Sequence, residues 1–165
     1  MEDLYRKNAA VVVCNRKGKV LICQRVADIP HNWQFPQGGI EDGETPLEAA
    51  YRELSEETGL TKVDLIAQYP QGIKYRFTDD IIEKFRKMGR LNIGQEHFWT
   101  LFLNLGSDDD INFKTHPEEI EFKAYRWVDL EEAVESVVPF KKESYQKMAA
   151  YFKPFIEQIK KAKTN

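Results

Sequence analysis

The sequence predicts an α/β (α+β) fold in which helices pack against a mixed β-sheet. Strand-like apolar runs occur before and after one central amphipathic segment, residues 46–58, and a second helical pattern closes the chain. The chain has 165 residues, of which 42% are hydrophobic and 31% are charged. That length and composition suit one globular domain with a sizeable core and leave little room for a second. We therefore expect a single domain over residues 1–165.

The first elements are short strands. Residues 8–15 and 19–25 are rich in β-formers, and Arg16-Lys17-Gly18 between them is a hairpin signal. A loop containing Pro30 then leads into Trp33-Gln34-Phe35, which reads as another short strand.

The elements after the central helix follow from the same patterns. Strands are predicted at residues 63–69, 73–77, 96–105 and 121–128, and helical segments at residues 79–90, 129–137 and from Phe140 onward. Pro154 lies inside the last helical pattern, where it is expected to kink or break the helix.

Charge and composition exclude several classes of protein. The net charge is −3, which is not that of a typical nucleic-acid-binding domain, although a local basic patch remains compatible with it. No apolar signal segment and no run of about 18 apolar residues occurs, so we expect no membrane segment and a cytoplasmic location. Cys14 and Cys23 lie in apolar runs and are expected to be buried free thiols.

The signals at both ends of the central helix are strong. Thr45 and Glu48 form a capping-box pattern, and Pro46 occupies the first helical position, where proline is tolerated. Gly59 then supplies the C-terminal stop.

This helix should present two different faces. Its apolar face is predicted to contain Leu47, Ala50, Tyr51, Leu54 and Thr58. On another side Glu53, Glu56 and Glu57 come together, and like charges at this spacing repel unless something neutralises them. A hard divalent cation would do so. The alternative is a solvated acidic face, which does not explain the glycine-rich lead-in, Glu44, or Arg52 directly before Glu53.

These residues form a recognisable motif over residues 38–60. Gly38 is followed after five residues by Glu44, and after seven more by the run from Arg52 to Leu60. This arrangement resembles the Nudix box of pyrophosphohydrolases at every defined position. The resemblance implies the Nudix fold, an α/β/α sandwich around a mixed β-sheet in which the box forms a loop–helix–loop.

The resemblance also implies a metal site that holds Mg²⁺ or Mn²⁺. Its implied ligands are the Gly38 carbonyl, Glu53, Glu56, Glu57 and Glu121. Glu53 is also a candidate general base, and Glu118 and Glu119 compete with Glu121 for the role of the additional carboxylate. Arg52 is expected to orient the carboxylates, whereas Glu44 either joins the metal shell or accepts a hydrogen bond from Arg52.

Residues outside the box point toward a substrate class. The run WQFPQGG at residues 33–39 is similar to the branch of the family that includes bacterial RNA pyrophosphohydrolases and dinucleoside polyphosphate hydrolases. Shorter similar stretches lie at residues 5–6, 93–95, 126–128 and 138–141. The substrate-binding candidates are Arg6, Arg25, Gln37, Tyr75, Gln95, Phe140, Lys141 and, less centrally, Lys142. The alternative for each cation is that it is an ordinary surface residue. Phe140 is either a base-stacking platform or a core anchor.

The sequence leaves two enzymatic hypotheses and one non-enzymatic hypothesis. The first is a pyrophosphohydrolase that removes pyrophosphate, or successive phosphates, from 5′-triphosphorylated RNA ends and so initiates mRNA decay. The second acts on dinucleoside polyphosphates, such as diadenosine tetraphosphate, or on nucleoside triphosphates. A non-catalytic binding module is disfavoured because every carboxylate of the box is present. A homodimer is compatible with the sequence, which does not require one.

Overall fold

The computed structural model describes residues 4–162. Within them the strands are β1 (Tyr5–Cys14), β2 (Val20–Arg25), β3 (Trp33–Gln34), β4 (Gln37–Gly39), β5 (Val63–Gln68), β6 (Ile73–Arg76), β7 (Gly94–Asn104) and β8 (Phe122–Val128). The helices are α1 (Pro46–Thr58), α2 (Asp79–Lys87), α3 (Leu130–Ser136) and α4 (Lys142–Ala162), and short 3₁₀ turns lie at Asp108–Asp110, Pro117–Glu119 and Pro139–Lys141.

All eight strands join one mixed sheet. Its main path runs β3-β2-β1-β7-β5, while β8 pairs with β2, β4 pairs with β1 and β6 pairs with β7. The long central strands β1 and β7 are parallel, with Tyr5 opposite Gly94 and Cys14 opposite Leu103. The other strand pairs are antiparallel. This register places residues 6 and 8 beside residues 95 and 97, which matters for the site below.

Two buried clusters cover the two faces of the sheet, which confirms the predicted α/β/α sandwich. Alternate residues of β1 divide between them because side chains alternate across a strand. Ala10 and Val12 join Trp99 and the core residues of α3 and α4. Val11 and Val13 join Leu54 and the other buried residues of α1 on the opposite face.

The helix α1 begins and ends as its sequence predicts. The Thr45 hydroxyl accepts from the Glu48 backbone N–H at 3.1 Å, and the Glu48 carboxylate accepts from the Thr45 N–H at 2.9 Å. Gly59 adopts a left-handed conformation with φ of 79°. The predicted apolar face is wrong at Tyr51, which is 42% exposed, although its ring still contacts Phe102.

Two further differences from the prediction, in β1 and α4, have a physical cause. Strand β1 begins at Tyr5 instead of Asn8, because its first residues pair with β7 along the whole parallel register. Helix α4 continues through Pro154 for another two turns, so the break expected there does not occur. Phe152 and Ile156 on either side of that proline are both buried in the core, and this packing holds the two halves of α4 in one helix.

A third, smaller cluster lies at the β6 edge of the sheet. Tyr75, Phe77 and Ile82 are buried there, and Phe85 and Phe140 pack against them. This cluster connects α2 to the turn that precedes α4. Elsewhere, Cys14 and Cys23 are buried free thiols, as expected. No helix within residues 4–162 combines the length and apolar character needed to cross a membrane.

Candidate active site

One cavity of about 560 Å³ collects the residues that the sequence singles out. All five implied metal ligands line it, namely Gly38, Glu53, Glu56, Glu57 and Glu121. All seven principal substrate-binding candidates line it as well, namely Arg6, Arg25, Gln37, Tyr75, Gln95, Phe140 and Lys141. Among the residues that line the cavity, Lys142 and Arg52 are missing, so neither is placed for direct contact with a ligand there. We call the part formed by the glutamates the carboxylate end and the part formed by Arg6, Arg25 and Lys141 the cation end.

A glycine at position 38 lets strand β4 lie close to the carboxylate face of α1. A Cβ atom there would overlap the Glu53 carboxyl group as it is placed, so Glu53 would have to move. The backbone N–H of Gln37 also faces the Glu57 carboxylate, with 3.4 Å between nitrogen and oxygen.

Arg52 organises the carboxylates from behind. Its guanidinium donates two hydrogen bonds to Glu44, at 2.7 and 2.9 Å, and one to Glu53 at 2.7 Å. Further bonds reach Glu56 at 3.3 Å and the Gly39 carbonyl at 2.9 Å. A fork of fixed planar donors suits several acceptors at once, so Arg52 is placed to orient the carboxylates.

Glu44 belongs to this support and not to the cavity wall. Its bidentate hydrogen bonds from Arg52, and then the bond from the Glu41 N–H, lower the pKa of Glu44 to about 2. Of the two roles left open by the sequence, the geometry therefore matches the acceptor of Arg52, because Glu44 is absent from the cavity lining.

Glu53 and Glu57 behave differently from Glu44. Burial raises the pKa of both carboxyls, and the nearby charge of Glu53 raises the pKa of Glu57 further. Glu121, which comes just before β8, adds a further negative charge that raises the pKa of Glu57. Crowded, partly desolvated carboxylates of this kind hold a proton more tightly than usual unless a cation replaces it.

The donor set therefore fits a hard divalent cation in its chemistry. Carboxylate and backbone carbonyl oxygens are the ligands that Mg²⁺ and similar ions prefer. Within residues 4–162, no three His, Cys, Asp or Glu side chains form a preassembled metal cage. Arg52 instead takes an oxygen of Glu53 and an oxygen of Glu56.

The cation end has the opposite electrostatic character. Arg6, Arg25 and Lys141 come from β1, β2 and the turn before α4, and within the described chain none of them has a carboxylate within 4 Å. Burial, and then repulsion from Arg25, lowers the pKa of Lys141 to about 8. Cations that line one cavity without carboxylate partners form a binding site for an anion.

The wall beside these cations is aromatic. Tyr75 donates a short hydrogen bond to the Gln95 amide oxygen, and its ring lies 5.9 Å from that of Phe140. Phe140 also meets Phe77 edge to face at 6.3 Å while remaining only half-buried. The same ring packs on the third cluster and lines the cavity, so its position is compatible with both interpretations of Phe140.

A buried polar network holds the start of α4 against β7. The Trp99 indole N–H donates to the Ser144 hydroxyl oxygen at 3.0 Å, and His97 Nδ1 lies 2.9 Å from that oxygen. Because an indole can only donate, the Ser144 hydroxyl proton is available to His97. Burial, and then the charge of Lys141, lowers the pKa of His97 well below its usual value, so this ring is neutral. His97 thus helps to hold the start of α4, which follows Lys141.

The structure adds residues that the sequence had not singled out. Asn8, Phe85, Arg90 and His116 line the same cavity. The side-chain oxygens of Asn8 and Gln37 are buried without a partner within the described chain, as expected of groups that meet a ligand or water. Period-two alternation from Arg6 would have found Asn8. No comparable sequence signal marks Phe85 or Arg90.

The comparisons with known proteins agree with this geometry. The family profile described as the NUDIX domain matches residues 4–148. The chain belongs to the Nudix family. It is a Nudix hydrolase, an enzyme class that acts on pyrophosphate bonds and generally needs a divalent metal ion.

Curated relatives cover almost the whole chain. A protein of Helicobacter pylori named RNA pyrophosphohydrolase is 40% identical over 153 residues, which is 90% of this chain and 94% of that protein. Proteins of the same name in Cereibacter sphaeroides and Yersinia enterocolitica are 38% and 37% identical. Those matches cover 92% and 98% of this chain and 93% and 90% of the relatives.

Solved structures support the fold alone, because their sequences are more distant. The dihydroneopterin triphosphate pyrophosphohydrolase of E. coli aligns with a TM-score of 0.65 at 21% identity, covering 88% of this chain and 97% of that one. An Ap4A hydrolase of C. elegans aligns with a TM-score of 0.62 at 19% identity, covering 90% and 98%.

Proposed function

We propose that this Nudix hydrolase removes pyrophosphate, or successive phosphates, from the 5′-triphosphate end of RNA. One observation carries the proposal: a single cavity joins five glutamates, among them Glu119, to cations that have no carboxylate partner within residues 4–162 and to a half-buried aromatic ring. Hydrolysis of a polyphosphate chain needs carboxylates that hold a metal ion, and binding of a nucleotide needs the cations and the aromatic ring. The names of the curated relatives at 37–40% identity support the same substrate.

The metal belongs to the carboxylate end. Glu53, Glu56, Glu57 and Glu121, together with the Gly38 carbonyl, would hold Mg²⁺ or Mn²⁺. When bound, such an ion neutralises charge on phosphate oxygens and lowers the pKa of water. A divalent cation among these carboxylates would also relieve the repulsion between them.

The chain's own residues would divide the remaining work between them. Arg6, Arg25 and Lys141 hold the phosphates, and Phe140 stacks on a base, with Tyr75 and Gln95 beside it. Glu53 accepts a proton from the attacking water, with Arg52 fixing the orientation of its carboxylate. Water then bonds to phosphorus as the P–O anhydride bond breaks, which leaves a 5′-monophosphate on the RNA and releases pyrophosphate. The enzyme is expected to act in the cytoplasm, and a homodimer remains compatible with this proposal.

A substrate competition at fixed Mg²⁺ tests the proposal. A short 5′-triphosphorylated RNA, diadenosine tetraphosphate and GTP are compared by kcat/KM, with Glu53→Gln protein as the blank. We expect the RNA to be preferred. A preference for diadenosine tetraphosphate or GTP would contradict the RNA assignment and support one of the alternative substrates. The same assay with Mg²⁺ replaced by Mn²⁺ identifies the preferred ion.

A further inference from the structure

Within residues 4–162, four buried side-chain polar atoms have no hydrogen-bond partner, namely Asn8 Oδ1, Gln37 Oε1, His97 Nε2 and Thr100 Oγ1. Buried polar groups are almost always paired, so several unpaired ones that lie together indicate a place where a polar molecule binds. Three of the four belong to one corner of the sheet beside the active-site cavity. None of the roles proposed above uses His97 Nε2 or Asn8 Oδ1.

Sheet register places these three side chains at adjacent positions on one face. Asn8 is the partner of His97 in the parallel pair of β1 and β7. Gln37 of β4 is the partner of Ala10, the next residue of β1 on the same face as Asn8. Paired residues of neighbouring strands point to the same side, and successive residues of a strand alternate. Thr100, three residues after His97, therefore points to the opposite face.

The surroundings of this corner combine a small side chain with a buried aromatic cover. Ala10, which lies between Trp99 of β7 and Gln37 of β4, contributes only a methyl group. Beyond it the rings of Trp99, Phe35 and Tyr145 are fully buried and contact one another, with centroids 5.0 to 5.8 Å apart. Bulk water is therefore excluded from the side of the core, and the corner opens only toward the cavity.

The hydrogen-bond chemistry of the three atoms defines what fits between them. The Trp99 indole donates to Ser144, whose hydroxyl then donates to His97 Nδ1. Because the His97 ring is neutral, its proton is on Nε2. The corner thus offers one donor, His97 Nε2–H, and two acceptors, Asn8 Oδ1 and Gln37 Oε1. A water molecule can accept the first bond and donate the other two, and buried waters typically make about three such bonds.

The same chemistry determines which way the two amides point. With both amide nitrogens turned inward, the corner would contain three donors, which one water molecule cannot satisfy. With the oxygens inward, the nitrogens of Asn8 and Gln37 are left to face the cavity that both residues line. Gln37 precedes Gly38 of the carboxylate end, and Asn8 lies two residues from Arg6 of the cation end. Two neutral donors are therefore available between the two ends.

We propose that one ordered water joins Asn8 Oδ1, Gln37 Oε1 and His97 Nε2–H, and that it holds both amides with their nitrogens toward the phosphate chain of the substrate. His97 is then a positioning residue, because it acts on the two amides through the water and does not touch the substrate. The inference rests on the proposed function only in that the substrate carries a phosphate chain. RNA ends and dinucleoside polyphosphates share that chain.

Two measurements on the unaltered protein test the water itself. A high-resolution crystal structure should show a water molecule about 2.7–3.2 Å from all three atoms. Nitrogen-15 NMR of His97 should show a neutral ring with its proton on Nε2 and magnetisation transfer from that proton to water. A direct hydrogen bond between His97 and Asn8, or a proton on Nδ1, would overturn the proposal.

Variants of His97 test its effect on the substrate. His97→Leu removes the N–H that the water accepts, whereas His97→Gln retains an N–H donor near the end of the side chain. We expect His97→Leu to raise KM about five-fold, for 5′-triphosphorylated RNA and for diadenosine tetraphosphate, while kcat changes less and His97→Gln stays within about two-fold. Thr100→Val is the matched control, since it removes an unpaired buried hydroxyl of the same strand from the opposite face. It should change neither kcat nor KM.

A double variant separates positioning from a general loss of structure. Asn8→Leu removes one acceptor of the water and should itself raise KM. Adding His97→Leu should then raise KM little further, because the water that couples the two residues is already lost. Asn8→Leu combined with Thr100→Val should behave like Asn8→Leu alone. Independent, multiplicative increases of KM from Asn8→Leu and His97→Leu would contradict a shared water.

The outcomes also distinguish this inference from the proposed function. If the unaltered enzyme prefers diadenosine tetraphosphate or GTP to RNA, the RNA assignment fails, and the same KM pattern on the preferred substrate would still support the water. If RNA is preferred but His97→Leu keeps the KM of the unaltered protein, only the positioning role is overturned. Equal impairment of His97→Gln and His97→Leu overturns it as well, because the effect would then not depend on the N–H donor.

Discussion

The carboxylate end and the cation end of the cavity are assembled in different ways. Most of the carboxylate end comes from one continuous segment, residues 38–57, with Glu119 and Glu121 added from elsewhere. The cation end combines Arg6, Arg25 and Lys141 from three separate elements. The first end therefore depends mainly on one capped helix, whereas the second depends on sheet register and on the docking of α4.

The two ends also handle charge differently. At the carboxylate end Arg52 contacts Glu44, Glu53 and Glu56 at once, so repulsion is already partly offset within the protein. At the cation end no such partner is present within the described residues. At the carboxylate end, part of the compensating positive charge therefore comes from the protein itself. At the cation end, the compensating negative charge has to come from the ligand. Three changes of decreasing expected effect test this difference.

The largest effect is expected at Glu53. Replacement by Gln removes a proton acceptor and a negative charge from the carboxylate end while the cation end stays intact. We expect kcat to fall about 10²- to 10⁴-fold, with RNA binding retained. Stopped-flow turnover and equilibrium binding measure the two quantities separately. Glu132→Gln, on the exposed surface of α3, is the control and should leave both unchanged. A parallel loss of binding and turnover would show that the two ends are not separable.

A smaller effect is expected from pH at Lys141. Its pKa of about 8 means that the ammonium is charged below that pH and neutral above it. Phosphate binding should therefore weaken as pH rises, and KM should increase about 10- to 100-fold once the charge is lost. The loss of this charge does not destabilise the fold. The lysine keeps its proton to a higher pH in the unfolded state than in the native state, so the free energy of unfolding increases as pH rises past about 8.

Lys141→Arg is the matched variant, because arginine stays protonated across this range. Its KM should be nearly flat between pH 7 and 10 (about the range in which lysine loses its charge). Steady-state kinetics at several pH values, with kcat and KM separated, provide the measurement. An identical rise of KM in both proteins would assign the titration to another group and contradict the role of Lys141.

The smallest effect on activity is expected at Ser144. Replacement by Ala leaves the Trp99 N–H and His97 Nδ1 buried without a partner, which should lower the free energy of unfolding by about 1–3 kcal/mol. Thermal unfolding measures that loss. Because α4 starts next to Lys141, KM should also rise slightly while kcat is retained. Ser136→Ala removes an exposed hydroxyl bonded to the Glu132 carbonyl of its own helix, so it should change neither quantity. A fall in kcat with unchanged KM would mean that the network supports the carboxylate end instead.

Much of the fold was accessible from the sequence for a local reason. The capping box at Thr45 and Glu48, the stop at Gly59 and the alternation along the strands are short-range signals, and all of them are present in the structure. Where the prediction was wrong, packing between residues far apart in the sequence determined the observed structure. Pro154 lies within an intact helix because Phe152 and Ile156 on either side of it are buried in the core. Tyr51 packs its ring against Phe102 while remaining partly exposed.

The sequence by itself determined the Nudix box, its helix and the grouping of Glu53, Glu56 and Glu57, because residues three or four apart on a helix must be neighbours. The tertiary structure alone decided which distant residues join them. Arg6 reaches the cavity because β1 runs parallel to β7 in one particular register, and Arg90 reaches it because a turn at Gly89 folds it back over Phe85. Such pairings are set by the closure of long loops and by core packing, and no short stretch of sequence encodes them.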